Sequence, residues 1–262
     1  MHLARRVLRV LPLFAASAVT AAVLAGTASA SKIALLGSNG TSPLPANKSI
    51  VAETGQIVAI DPSSVPCSQV TTFEDLAGGD TPGSNYEGLV WSGGMQFGEL
   101  FAGQTLGANG DFDAVSGTPT NPLTELAGSA GHNLDVLTYV SNVLTGLGPV
   151  GFPDIDAIGE GSMAMMFAAP QARVSFQLAG GNGGSATVTF YRADGSLIDT
   201  VVITGLAEDF YGFETADQSN SIVGILVQTT DASGIGVDNI CREGAVVPTR
   251  AVSWGALKTL YR

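Results

Sequence analysis

The sequence predicts an all-β domain, an antiparallel two-sheet sandwich of the jelly-roll kind, with a signal peptide in front and a short C-terminal helix behind. Three observations point there. The second half is a series of short β-branched runs at regular spacing, divided by turn chemistry. The chain holds 34 glycines against 7% aromatic residues, a balance that favours Gly-rich turns between strands over helical packing. Its two cysteines, Cys67 and Cys241, sit beside an early and a late strand-like segment, each with acids close by.

Taken in order, residues 1–30 have the form of a secretory signal. Arg5, Arg6 and Arg9 make a basic start, Val10 to Leu24 is apolar and Ala-rich, and Ala28-Ser29-Ala30 is a small-x-small cleavage site. A twin-arginine signal is the second reading of Arg5-Arg6, which Val7-Leu8-Arg9 fits poorly. Residues 31–55, rich in Ser, Asn, Gly and Pro, predict a loosely held arm. Strands are expected at 56–60, 69–73, 88–91 and 95–100. Residues 102–133 have few core-sized side chains and predict a long surface excursion. Asn133–Thr145 alternates over part of its length and predicts one strand.

The second half is cleaner. Strands are expected at 162–168, 172–178, 186–192, 197–204, 209–213, 222–229 and 235–241. Thr187, Thr189 and Tyr191 alternate with Val188, Phe190 and Arg192, the mark of a strand with two different faces. Ala193-Asp194-Gly195 predicts a hairpin, since Asp-Gly suits a turn that needs positive φ. Gly180-Gly-Asn-Gly-Gly184 lacks the Lys-Ser/Thr of a phosphate loop and is expected to be a flexible hairpin turn. The sandwich should therefore fill 56–244. Residues 245–262 predict a linker and a helical tail with Trp254, Leu257 and Tyr261 on one face.

Charge excludes one class of partner. Residues 1–30 carry three of the 11 basic residues and none of the 23 acids, and no Lys or Arg lies between Lys48 and Arg173. Nucleic acid, which needs clustered cations, is excluded as a partner. No stretch beyond the leader approaches about 18 uninterrupted apolar residues, so no integral membrane span is expected after cleavage. Acid excess suits either plain solubility or a calcium-using extracellular module. In an exported chain Cys67 and Cys241 are expected to pair, two separate buried thiols being the alternative.

From Phe73-Glu-Asp-Leu76 through Tyr86-Glu-Gly-Leu-Val-Trp91, and from Gly159-Glu-Gly161 to Gly236-Val-Asp-Asn-Ile240, the chain resembles exported bacterial β-sandwich proteins of the PEP-CTERM-associated kind. It is similar there to jelly-roll carbohydrate-binding modules. The resemblance implies a calcium bridging first and last strands, on Glu74 or Asp75 and Asp238. The ending departs from that group, having no Pro-Glu-Pro and no terminal apolar span.

Register argues against the direct form of that site. If Cys67 faces Cys241, Asp238 stands opposite Val70 and Glu74 opposite Gly234, leaving the acids roughly 13 Å apart along the ladder. Asp154, Asp156 and Glu160 form the densest acidic group, fit for a second calcium or for the paired carboxylates of a glycan hydrolase. Accidental pairs are common in so acidic a chain. His132, the one histidine beyond the leader, lies in a Gly/Ser/Ala-rich loop without a nucleophile motif and is expected at the surface, so no catalytic residue is assigned. Tyr86 and Trp91 are candidate sugar-stacking platforms, with a core role as the alternative. The expected function is a secreted or cell-surface module, not an enzyme, whose partner is an extracellular glycan or an envelope component. An extracellular glycan hydrolase and a purely structural surface protein are the alternatives.

Overall fold

Along Ser185–Tyr191 the side chains of Ala186, Val188 and Phe190 are buried in one cluster, while Tyr191 belongs to another. That two-residue period, repeated along the second half, builds two stacked sheets with a core between them. The computed structural model describes residues 48–243 apart from Tyr139. The signal at 1–30, most of the arm and the tail with Trp254, Leu257 and Tyr261 lie outside the described residues.

The early strands are β1 (Ser49–Ala52), β2 (Ile57–Ile60), β3 (Gln69–Thr71), β4 (Ser84–Tyr86), β5 (Val90–Ser92), β6 (Met95–Gly98) and β7 (Leu100–Phe101). Then come β8 (Thr105–Asn109), β9 (Phe112–Ser116), β10 (Glu125–Leu126), β11 (Leu134–Thr138) and β12 (Asn142–Gly146). The late strands are β13 (Met163–Gln171), β14 (Arg173–Gly180), β15 (Ser185–Tyr191), β16 (Leu197–Thr204), β17 (Asp209–Thr215), β18 (Ile222–Thr229) and β19 (Ile235–Arg242). Among the described residues, two 3-10 turns, Pro62–Ser64 and Ile155–Ala157, complete the regular structure. Among the described residues no helix is long and apolar enough to cross a membrane.

The first sheet runs β1-β16-β15-β18-β13-β6-β5 and the second β2-β17-β14-β19-β12-β11-β4, with β3 also paired to β19. From β12 onward the chain changes sheet at every connection except the β15–β16 hairpin. Val188, Phe190, Ile225, Met163 and Met165 of the first sheet meet Phe176, Phe213, Leu144 and Val237 of the second in one buried cluster. The Phe190 and Phe213 rings touch across the sheets, centroids 5.2 Å apart. Burying each such side chain stabilises the fold by about 1.5–3 kcal/mol.

Four expectations are corrected. Ser49–Ala52, placed in the loose arm, is strand β1 and pairs antiparallel with β16, Ser49 facing Thr204 and Ala52 facing Val201. The single strand expected at 133–145 is the hairpin β11–β12, with Leu134 facing Gly146 and Thr138 facing Asn142. Most of both strands is buried, so their apolar residues run on almost without the polar gap that usually marks a turn. The excursion at 102–133 is no mere surface loop. Phe101 and Leu123 pack with Ala164, Tyr191 and Leu226 as a second core on the outer face of the first sheet. Finally, Gly180–Gly184 is a crossover between sheets rather than a hairpin, held by Asp231, whose Oδ2 accepts the Asn182 and Gly184 N–H groups at 2.7 Å each.

Candidate functional site

Cys67 and Cys241 are disulfide-bonded, with their Cα atoms 4.8 Å apart. The early and late segments are antiparallel neighbours, as expected, but the register differs. Val70 rather than Cys67 stands opposite Cys241, and Thr71 opposite Ile240. Cys67 lies outside the ladder, where the Ser68 N–H bonds back to the Pro66 carbonyl at 3.0 Å and turns the chain in. Beyond Thr71, where β3 ends, Glu74 still comes close enough to Asp238 for its charge to act on that carboxyl, and the expected wide separation of the acids is corrected.

Glu74 and Asp238 close on one turn. Glu74 Oε1 accepts the Asn142 N–H at 2.8 Å, and Asp238 Oδ2 accepts from Ser141 Oγ at 3.1 Å. Asp238 Oδ1 also takes the Asn239 N–H at 2.7 Å. Burial pushes the Asp238 carboxyl up to about 6, the Asn239 and Ser141 hydrogen bonds pull it down, and the Glu74 charge adds a smaller upward push. Both Asp238 oxygens are already hydrogen-bonded, so this pair fits an anchor for the β11–β12 turn better than a cation cradle. Asp75 turns the other way, accepting from Ser92 Oγ at 2.5 Å and the Gly93 N–H at 3.2 Å. The buried Arg242 donates to Thr71 Oγ1 and to the Gly93 carbonyl, tying the same corner across the sheets.

The 154–160 acids divide. Asp154 and Asp156 are exposed, and Asp154 caps the 3-10 turn by accepting the Asp156 N–H at 3.0 Å. Glu160 is buried, its carbonyl accepting the Asp113 N–H at 3.1 Å. Among the described residues no three of His, Cys, Asp and Glu converge to hold a metal ion.

The structure exposes a second acidic group that the sequence does not single out. Glu99, between β6 and β7, and Asp113, on β9, are both buried. Asp113 Oδ2 accepts the Ser162 N–H at 2.8 Å, and Ser162 Oγ donates to the Glu99 carbonyl at 2.8 Å. Burial raises Glu99 to about 8, with the Asp113 charge adding to it. Burial also raises Asp113 to about 6, against the lowering pull of Ser162 and the His132 charge. His132 is half-buried, with Nδ1 3.4 Å from the Gly148 carbonyl, rather than fully at the surface. Two carboxyls with separated pKa values can in principle divide acid and base roles. With Glu99 1% and Asp113 6% exposed, however, this pair is sealed from a polymeric substrate.

The two aromatic candidates also part. The Tyr86 hydroxyl donates to the Ala77 carbonyl at 2.9 Å and its ring packs on the main core, so it is an anchor. Trp91 is 64% exposed on β5, at the edge of the first sheet, opposite Gln96 of β6. The exposed Leu89 side chain and the Leu126 backbone both lie over Gly98 on the same edge. No family model, curated protein or solved structure matches this chain.

Proposed function

We propose that the protein is an exported, non-enzymatic binding module that takes a glycan or another envelope polymer on its Trp91 edge. The observation that carries this reading is the exposure of Trp91. A large ring left in water on an edge strand, with the Gln96 amide beside it and Leu89 close by, offers a sugar ring both a stacking face and a hydrogen-bonding group. The order β17-β14-β19-β12 over β16-β15-β18-β13, with the chain alternating between sheets, supports a jelly roll. The leader pattern at 1–30 and the Cys67–Cys241 bond support export to an oxidising compartment. Residues 246–262, with Trp254, Leu257 and Tyr261, supply the surface-docking element in this reading.

A glycan array together with pull-down on insoluble polysaccharides tests it. The wild-type chain should bind at least one glycan class. Trp91→Ala should lose that binding while keeping the wild-type melting temperature, because the ring is largely solvent-exposed. Binding that survives Trp91→Ala removes the edge as the site, and no binding to any glycan removes the reading.

A further inference from the structure

Asp135 is an acid in the middle of an apolar strand, with Leu134 and Val136 on either side of it in the main core. It therefore points to the opposite face of the second sheet. Register places Asn85 of β4 directly beside it on one side and Thr145 of β12 directly beside it on the other. Three oxygen-bearing side chains thus form a row across three adjacent strands. Facing residues on one sheet face hold their Cβ atoms about 4.5–5.5 Å apart, close enough for their end atoms to meet.

This row is sealed at Asp135 and Thr145, half-buried at Asn85, and unsatisfied. Asp135 and Thr145 are each 0% exposed. Both Asp135 carboxylate oxygens, Thr145 Oγ1 and Asn85 Oδ1 are buried without a hydrogen-bond partner. Burial raises the Asp135 carboxyl to about 7; the adjacent Val136 N–H pulls it down in part without making a well-formed hydrogen bond. The turn before β4 closes over the row: a Cβ at Gly83 would run into the Asp135 carboxylate. That turn is pinned by Gly79 N–H to the Val136 carbonyl at 3.2 Å and by Thr138 N–H to the Gly79 carbonyl at 2.8 Å. Orphaned buried oxygens are costly, about 1–3 kcal/mol each and more for a carboxylate. Four of them side by side call for a shared positive partner.

We propose that Asp135, Asn85 and Thr145 form a binding site for a hard, oxygen-seeking cation of the calcium type. Carboxylate, amide and hydroxyl oxygens are the donors such an ion takes, at about 2.3–2.6 Å. A proton on Asp135 and the Thr145 hydroxyl hydrogen together answer at most two of these acceptors, whereas a cation answers all of them. The outer contacts fit as well. Asn85 Nδ2 donates to Glu87 Oε1 at 2.5 Å, which leaves Oδ1 as the buried end of the amide. Flipping the amide would set that oxygen against the Glu87 carboxylate, so the orientation is fixed by a neighbour one layer out. The site is separate from Glu74, Asp75 and Asp238, and from the Trp91 edge.

The test uses the full chain, stripped with EDTA and dialysed. Calcium chloride, magnesium chloride and sodium chloride at matched ionic strength form separate arms, read by elemental analysis and by thermal melts. The expected result is one equivalent of retained calcium and a melting temperature several degrees above that in EDTA. Asp135→Asn should lose the retained metal and the calcium-dependent shift. Thr145→Val should weaken calcium binding by about tenfold or more. Asp238→Asn should keep the full response, which separates this site from the β3–β19 junction. The same shift with sodium or magnesium and none with calcium would change the ion and overturn the calcium class. Identical wild-type melts with no bound metal would overturn the site, leaving water or a proton among these oxygens. If Asp135→Asn does not fold, an unchanged calcium affinity in Thr145→Val overturns it instead.

Discussion

Glu125 is the sharpest electrostatic test of the fold. It lies on β10, 2% exposed, with neither carboxylate oxygen hydrogen-bonded, and burial alone raises it from 4.5 to about 8. The folded state therefore holds this proton more tightly than the unfolded chain between those two values. Its contribution is most favourable below pH 4.5, is lost as pH rises toward 8, and changes no further above that. Each pH unit inside the window is worth up to about 1.36 kcal/mol per proton. Between pH 5 and 8 the group should cost the native state up to about 3 kcal/mol, a ceiling that partial water entry reduces. Glu125→Gln removes the ionisation. Its amide has no partners either, so the variant should match or slightly trail the wild type at pH 5 and exceed it at pH 8. For a domain of this size the gain at pH 8 should be on the order of 5–10 °C in melting temperature. Glu125→Met, which leaves no polar atom to bury, should show the same pH trend with a better baseline. The assay is a series of thermal melts from pH 4.5 to 9 at constant ionic strength, in EDTA to silence any bound cation. Parallel melting curves for wild type and Glu125→Gln across that range would refute the reasoning.

Two further outcomes follow from the same geometry. Replacing Cys67 and Cys241 by serine opens a loop of sequence separation 174 and should cost up to about 5 kcal/mol in the chain-entropy model, measured as a lower urea midpoint that dithiothreitol reproduces in the wild type. Asp199 is fully buried and accepts the Thr54, Ile57 and Thr200 N–H groups at 2.9, 3.0 and 2.9 Å, so it fastens the β1–β2 link to β16. Burial pushes its carboxyl up, but the Ile57 and Thr54 hydrogen bonds outweigh that and lower it below 3.8. Its stabilisation is therefore present above pH 3.8 and lost as pH falls through the lower folded value. Asp199→Asn should cost about 2–3 kcal/mol at pH 7, and the gap should narrow below pH 3.8 in denaturant titrations.

The elements legible in the chain are those in which local chemistry and tertiary burial agree. Val188 and Phe190 face the core because the two-residue period has no competitor there, and Asp194-Gly195 turns the chain because the ladder on both sides needs a tight hairpin. Gly195 has φ 78, as that turn demands. The segments that mislead are those where a second layer decides the outcome. Leu134–Gly146 looks continuous because loops bury its outer face as well as its inner one, which removes the polar punctuation between its two strands. Glu74 and Asp238 look far apart in sequence because a disulfide invites a ladder in which its two cysteines face each other. A covalent bond to a residue outside the ladder carries no register information.

The carboxylates that matter most are hidden for a different reason. Nothing in the local sequence separates Asp135, Glu99 or Glu125 from a solvated surface acid, except that Asp135 interrupts an apolar run. What covers Asp135 and Glu99 is the backbone of distant loops, and the glycines make that approach possible. A Cβ at Gly83 would strike the Asp135 carboxylate, one at Gly128 the Glu99 carboxylate, and one at Gly184 the Asp231 side chain. The abundance of glycine and the excess of acid, which look like two compositional facts, are in these places one structural device. Bare backbone is laid directly over a carboxylate, on a strand at Asp135 and in the connections between strands at Glu99 and Asp231, shutting out water that a side chain in the same loop would have held the loop open to admit. The charge is then left to be settled by hydrogen bonds, as at Asp231, by a raised affinity for its proton, as at Glu99, or by a cation, as proposed at Asp135.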